Sequence, residues 1–490
     1  MKKILVLMLL AVAGLGLAAC GKKPDDGGGT GGDDNKIDLK GENFVIMVNT
    51  ASTSDPRLET YEKLFREEKI AKITEVEKKY NVKVVYENYP SNASWGGARE
   101  RWIVEQSKVG VSPAHVFEVA STSVATLAVN DAILPLDNLI ETYGAKGYWP
   151  EKLVFGEVLG KHYLYDDSYP MTDDGLYYNS DLIARVLGEE RRLEPTKKWL
   201  AGEWTWAEFE KLARELKTYL DHTRPEAEGG PQYVLGGRSY NYAYPMIGAN
   251  GGVLVDSNFG THLTSEPVLD TLNFLNRLRT TEGMWIDNAP LSNASQPEFT
   301  AGNVAFHNGS AWHINASNKW GNAKFKIDYV PWPVGPNIKE DMSNYSITHV
   351  YGKSSFAISS SYSKDRIPEG YENRMISDEV IFKIWNDLMY FPAINSETNL
   401  IDTTLISDDF YNVRLLPYYW SKDSINAHLE VFNLASPDFF YSVPEAQAHA
   451  EGSYMLSVQL AITDGNSRTV MEGIEASLKE ILKERFLDKK

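Results

Sequence analysis

The stretch F-V-I-M-V at residues 44–48 is followed by a polar loop, N-T-A-S-T-S-D at 49–55, then by an amphipathic segment over 58–79 and by V-K-V-V-Y at 82–86. Short apolar runs bounded by polar loops read as buried strands. Between the two runs, Tyr61, Leu64, Phe65, Ile70, Ile73 and Val76 approximate helical spacing. A strand–helix–strand unit of this kind implies a parallel sheet with a right-handed crossover, and hence an α/β fold. The pattern recurs at H-V-F-E-V-A, 115–120, which leads into S-T-S at 121–123. Ligands of open α/β sheets sit beyond the carboxyl ends of the strands. The loops that carry Ser52 and Ser121 are therefore expected on one rim.

Further elements follow in order. Residues 158–163 and 175–179 read as strands, and Thr205 as the N-cap of a helix to about residue 219, with Glu208 at the capping-box position. Helices are expected over 267–280, 380–388 and 469–486, and strands over 327–330 and 355–358. The stretch F-T-A-G-N-V-A-F-H-N-G-S-A-W at 299–312 reads as a helix end, an edge strand and a buried Trp. In it Val304 and Phe306 alternate with Ala305 and His307, and Asn308-Gly309 offers a turn with positive φ just before Trp312. No internal repeat is visible.

With 490 residues the chain exceeds one compact domain, and about two or three are expected. A formal charge of −18 with no basic tract argues against a nucleic-acid partner. The N-terminus has the form of a removed export signal over residues 1–19: Lys2-Lys3, an apolar run, then Leu17-Ala18-Ala19 before Cys20. That apolar run is shorter than the roughly 18 residues of a spanning helix. The L-A-A-C tetrad resembles the bacterial lipobox, which implies lipidation of Cys20. Cys20 is the single cysteine, so it has no partner for an internal disulfide. Residues 20–36, rich in Gly and Asp, read as a flexible tether.

Beyond these local readings, a set of motifs in fixed order resembles one family. Gly160-Lys161-x-Tyr163 precedes Gly175-Leu176-Tyr177-Tyr178-Asn179. Trp204-Thr205-Trp206-Ala207-Glu208-Phe209 follows, and then Tyr244-Pro245 with Asn250-Gly251-Gly252. Last come Phe299-x-x-Gly302-x-x-Ala305-Phe306 and Asn308-Gly309-x-x-Trp312, with Phe306 where Met is usual and one extra residue before the Trp. Together they resemble the extracellular solute-binding lipoproteins of ABC importers, in the sugar-binding group of the maltose-binding-protein type. The resemblance implies a two-lobed periplasmic-binding-protein-like fold, each lobe a mostly parallel sheet flanked by helices, with the ligand in the cleft between lobes. It further implies lobe 1 from 37–168 and 353–425 and lobe 2 from 169–352 and 426–490, with crossings near 169–171, 345–352 and 421–429.

The same resemblance supplies candidate ligand contacts. Trp312 falls on the family's aromatic platform, and Ser239, Tyr240 and Asn241 on a cleft segment, with Ser239 where a carboxylate is usual. Tyr454 falls near a second aromatic wall, and Ser52, Ser121 and Asp173 complete the rim. Trp332, between two prolines, reads as a rim contact or as hinge packing, and Trp95 as a loop aromatic. A pyranose needs flat apolar surface for its C–H faces and polar groups for its hydroxyls, which these residue types offer.

No catalytic constellation, cofactor or metal site is expected. His307 and His313 lack ligand spacing, Asp256-x-Asn258-x-Gly260 is an incomplete calcium loop, and Asp166-Asp167 and Asp173-Asp174 read as solvated pairs. The expected partners are a carbohydrate, expected to be an oligosaccharide, the ABC permease subunits, and the membrane through Cys20, with the protein acting as a monomer. Its expected place is the outer face of the cell membrane, or the periplasm where an outer membrane exists. Two alternatives stay open from the residues: a surface glycosidase or lyase, which needs suitably placed carboxylates, and a binding protein for a non-sugar solute such as a peptide or polyamine.

Overall fold

The computed structural model describes residues 37–61, 65–110, 112–145, 155–167, 174–286, 296–314, 316–349, 353–362, 376–391, 421–431, 434–447 and 453–488. Cys20, Asp173 and the expected crossing at 169–171 lie outside the described residues.

The first sheet has the strand order Ser354–Ile358, Val116–Ala120, Glu42–Val48, Val82–Asn88. Glu42–Val48 pairs in parallel with Val82–Asn88 from Glu42 opposite Val82 to Val48 opposite Asn88. It also pairs in parallel with Val116–Ala120, while Ser354–Ile358 joins antiparallel at the edge. Phe44, Ile46 and Val48 are buried on it, as an apolar run with a covered sheet requires. The crossover helix is Arg66–Tyr80, which buries Ile73, Val76 and Tyr80. It starts later than residue 58. Phe65 holds a left-handed backbone with φ 59, and its ring packs on Tyr390 at 5.3 Å, so tertiary contact sets the helix start. In the loop at 49–55 the chain forms a short helix, Ala51–Ser54, whose Ala51 N–H donates to Asn88 Oδ1 at 2.7 Å.

A second sheet has the order Ile327–Val330, Gly175–Asn179, Val304–Gly309, Tyr233–Gly236, Trp285–Ile286. It is mixed: the first two pairings are antiparallel and the last two parallel. Helices cover both faces, so Gly175–Asn179 is buried throughout and Val304–Gly309 nearly so, and the expected in–out alternation is absent. The expected turn at Asn308-Gly309 is also absent. Both residues stay in the strand, opposite Leu176 and Gly175, and neither has positive φ. Gly309 serves close packing instead: a Cβ there would meet the Trp320 ring at 2.2 Å. The chain turns later, in the 3₁₀ segment Ala311–Ile314.

Several local expectations hold or shift by small amounts. Thr205 caps Trp206–Lys217, accepting from the Glu208 N–H at 3.4 Å, but the Glu208 carboxylate reaches Lys198 at 2.6 Å rather than returning to the cap. Residues 158–163 form a hairpin, Glu157–Val158 against Lys161–His162, because Leu159 and Gly160 take the positive φ of a tight turn. The segment near 421–429, expected as a crossing, is helical. It is the helix Lys422–Val431, held to the second sheet where Ser421 N–H and Ser424 Oγ donate to Asp328 at 2.8 and 3.0 Å. The expected lobe boundary at 425 therefore falls inside a helix. Ile347–His349 pairs in parallel with Ala435–Pro437. Just beyond, the buried Asp438 carboxylate accepts from the N–H groups of Leu254, Val255 and Phe440 at 2.7, 3.1 and 2.9 Å. These bonds tie the C-terminal segment to the loop at 254–255. Tyr454–Asp464 and Ser467–Leu482 complete the helical cover, and Phe486 stacks on Phe259 at 4.4 Å.

Candidate functional site

At the carboxyl ends of the first sheet, the Glu118 carboxylate organises a rim. It accepts from the Asn49 N–H and from Ser354 Oγ, each at 2.6 Å. Asn49 Oδ1 in turn accepts from Arg99 Nη2 at 2.8 Å. Arg99 is only 3% exposed, and burial lowers its pKa. Its guanidinium sits 3.9 Å from the centroid of Tyr89 and 4.8 Å from that of Trp95, a cation–π layer that fixes both rings. Trp95 is 43% exposed, so its indole is held from within and open to solvent. Ser52 is exposed on the same rim. Ser121 is committed to the sheet: its N–H donates to the Lys353 carbonyl at 2.8 Å and its Oγ accepts from the Lys353 N–H at 3.0 Å.

The carboxyl ends of Tyr233–Gly236 and Val304–Gly309 form the corresponding rim of the second sheet. Trp312 stands there, 55% exposed. Its pedestal is aromatic. His313 meets Trp312 edge-on at 4.4 Å and Trp320 at 4.8 Å, and Trp320 packs on Phe299, Tyr177 and His307 at 4.9, 5.2 and 5.4 Å. The Lys319 ammonium lies 5.7 Å from the centroid of the Trp312 ring. Lys319 has its pKa lowered, first by burial and second by the positive charge of Arg238, which places the two cations within electrostatic reach. Arg238 Nη1 donates to Tyr240 Oη, and the guanidinium lies 5.6 Å from the Tyr240 centroid.

Trp312 and residues 239–241 thus belong to one rim, but the exposures differ from expectation. Ser239 and Tyr240 are buried, and Asn241 is half-buried. The Tyr240 N–H donates to Gln459 Oε1 at 3.3 Å, so Tyr240 supports the surface from below through Arg238. Trp332 has no exposed surface. It meets Tyr242 edge-on at 5.2 Å, and its carbonyl accepts from Tyr345 Oη at 2.8 Å, so the rim-contact reading is replaced by core packing. Tyr454 is also buried, against Phe440 at 6.1 Å and bonded to Ser477 Oγ at 2.7 Å, which corrects its expected place on an aromatic wall. Arg99, Arg238 and Lys319 were not expected. The Trp95–Arg99 spacing of one helical turn offered a signal for the first, and nothing in the sequence joins the other two.

Among the described residues no other chemistry is assembled. Among the described residues no group of three or more His, Cys, Asp or Glu side chains is arranged to hold a metal. Asp256 closes its own turn, accepting from the N–H groups of Asn258 and Gly260 at 2.9 Å each and pairing with His262 at 2.8 Å. Asp166 accepts from Ser355 Oγ while Asp167 pairs with Lys69 at 2.5 Å, so this pair is divided between structural contacts. Among the described residues no helix is long and apolar enough to cross a membrane.

Comparison with known proteins adds the family. The family model described as bacterial extracellular solute-binding protein matches residues 52–365. No curated protein matches in sequence. Solved structures do match in fold. Maltose-bound MalE3 of T. maritima is 16% identical with a TM-score of 0.51, over 90% of this chain and 100% of that one. A cyclo/maltodextrin-binding protein with maltotetraose is 14% identical with a TM-score of 0.54, over 90% and 97%. UgpB from Mycobacterium tuberculosis with glycerophosphocholine is 15% identical with a TM-score of 0.55, over 90% and 98%. These neighbours are two-lobed binding proteins, and that is the fold of this chain.

Proposed function

The chain belongs to the bacterial extracellular solute-binding proteins, the solute-capturing components of ABC importers and not enzymes, and from that premise we propose that it captures an oligosaccharide and delivers it to a permease. One observation carries the proposal. Trp95 and Trp312 are the exposed tryptophans among the described residues, and each stands on a fixed support at the carboxyl-end rim of its own sheet. An aromatic face held open to water matches the C–H face of a pyranose, and polar neighbours such as Asn49 and Asn241 suit hydroxyl groups. The maltose and maltotetraose complexes among the fold neighbours support the same solute class. A glycan array probed with the soluble protein tests it: retention of at least one oligosaccharide class is expected, and retention of none contradicts it.

The anchor and address are part of the same proposal. Cys20, lipidated after removal of the preceding signal, tethers a monomer to the outer face of the cell membrane through the Gly- and Asp-rich segment. About 15 such residues reach roughly 20 Å, enough to let the protein dock on a permease without leaving the surface. Acyl chains on one residue suffice for stable anchoring when two or more are present. Cys20→Ser is expected to move the protein from the membrane fraction to the soluble fraction; continued membrane retention contradicts the tether.

A further inference from the structure

Lys319 and Arg238 are partly buried cations set against the rings of Trp312 and Tyr240. Several other cations are matched by carboxylates, Lys198 with Glu208 at 2.6 Å, Arg191 with Glu215 at 2.5 Å and Arg277 with Glu210 at 2.8 Å, while Arg99 and Arg224 donate to backbone carbonyls and to Asn side chains. Acidic groups are abundant, 67 against 49 Lys and Arg. Yet among the described residues neither Arg238 nor Lys319 makes an ion pair with a carboxylate. Around Lys319 the charge that registers is the like charge of Arg238. The Arg238 Nε is buried and has no hydrogen-bond partner among the described residues. Placing two like charges together under partial burial is unfavourable unless an anion joins them. This pair is built in all the same, with Lys319 against the ring of Trp312 and Arg238 against that of Tyr240.

We propose that Arg238 and Lys319 form a subsite for an anionic group on the bound saccharide, a carboxylate or a sulfate, seated beside the ring that stacks on Trp312. The inference rests on the carbohydrate reading above and sharpens it from saccharide to acidic saccharide. Arg offers a planar fork of donors that matches an oxyanion, and Lys a movable point charge. Burial around the pair strengthens its attraction for an anion relative to bulk water. The excess of negative charge elsewhere on the protein would repel such a solute from other surfaces, so the two cations also confer discrimination.

Titration calorimetry with four probes tests this: galacturonic acid trisaccharide, a sulfated lactose that carries no carboxylate, neutral galactotriose and maltotriose. The acidic probes are expected to bind more tightly than the neutral ones, and to weaken as salt is raised. Which acidic probe binds separates carboxylate from sulfate. Lys319→Gln and Arg238→Gln are each expected to weaken the acidic probe about 10- to 100-fold, the usual worth of a charge-assisted hydrogen bond. Lys319→Arg is expected to retain most of the affinity, which a merely structural role for the aliphatic stem would not require. Neutral probes that bind best, weaken in Trp312→Ala and ignore Lys319→Gln would overturn the anion subsite and leave the carbohydrate reading intact. Failure of every probe on a folded protein would overturn both.

Discussion

Trp320→Ala is expected to lower the free energy of unfolding by about 3–5 kcal/mol, the range for removing a large aromatic side chain from a packed core. Trp320 is fully buried and stands at the centre of the second rim. Phe299, Tyr177, His307 and His313 surround it at ring separations from 4.8 to 5.4 Å, and Gly309 makes room for its edge. Truncation would leave a cavity beneath the 3₁₀ segment Ala311–Ile314. That segment carries Trp312, so the loss extends beyond stability: the indole above loses its pedestal. Urea unfolding measures the first effect, and a loss under about 1 kcal/mol would show that Trp320 is not the keystone of this rim. Trp320→Phe keeps part of the packing and is expected to fall between the variant and the parent.

Trp312→Ala should separate binding from folding. At 55% exposure the side chain contributes little to the fold, so stability is expected to change by no more than about 0.5 kcal/mol. Burying the indole under a sugar ring is worth about 1.5–3 kcal/mol, so affinity is expected to drop on the order of 10- to 100-fold. Calorimetric titration of the oligosaccharide retained by the parent protein measures it. Unchanged affinity in a folded variant would remove Trp312 from the site. The paired effects set Trp320 and Trp312 apart: the first moves stability and binding together, the second binding alone.

The fold was legible where local chemistry and tertiary need coincide. Phe44, Ile46 and Val48 read as a buried strand because both faces of their sheet are covered and the run ends at polar Asn49. Thr205 read as a helix cap because capping is local, decided within three residues. Elsewhere a distant contact overrode the local signal. Asn308-Gly309 has the composition of a turn, but Gly309 is there for Trp320. Phe65 has helical spacing, yet its contact with Tyr390 and its left-handed backbone make the helix begin only after it, at Arg66.

The candidate site divides in the same way. The position of Trp312 just past a strand end was legible from the ordered motifs around it, but its exposure was not: the local pattern read a buried Trp, and the side chain is 55% exposed. Tyr454 was expected at a ligand surface and Trp332 either there or in packing; both are buried, because a buried aromatic and an exposed one look alike in sequence and only packing tells them apart. Ser121 was placed at the expected strand end, but its hydroxyl is taken up by the Lys353 backbone, a pairing made by strands far apart in the sequence. Arg238 and Lys319 were invisible because their proximity is created by the fold alone.

The most direct test of the central claim is calorimetry of the soluble protein against an oligosaccharide panel, with the ligand recovered from the cell and analysed afterwards. Saturable binding of a saccharide that returns chemically unchanged, weakened by Trp312→Ala, is the predicted result. Absence of binding across the panel, or recovery of a cleaved saccharide, would contradict it.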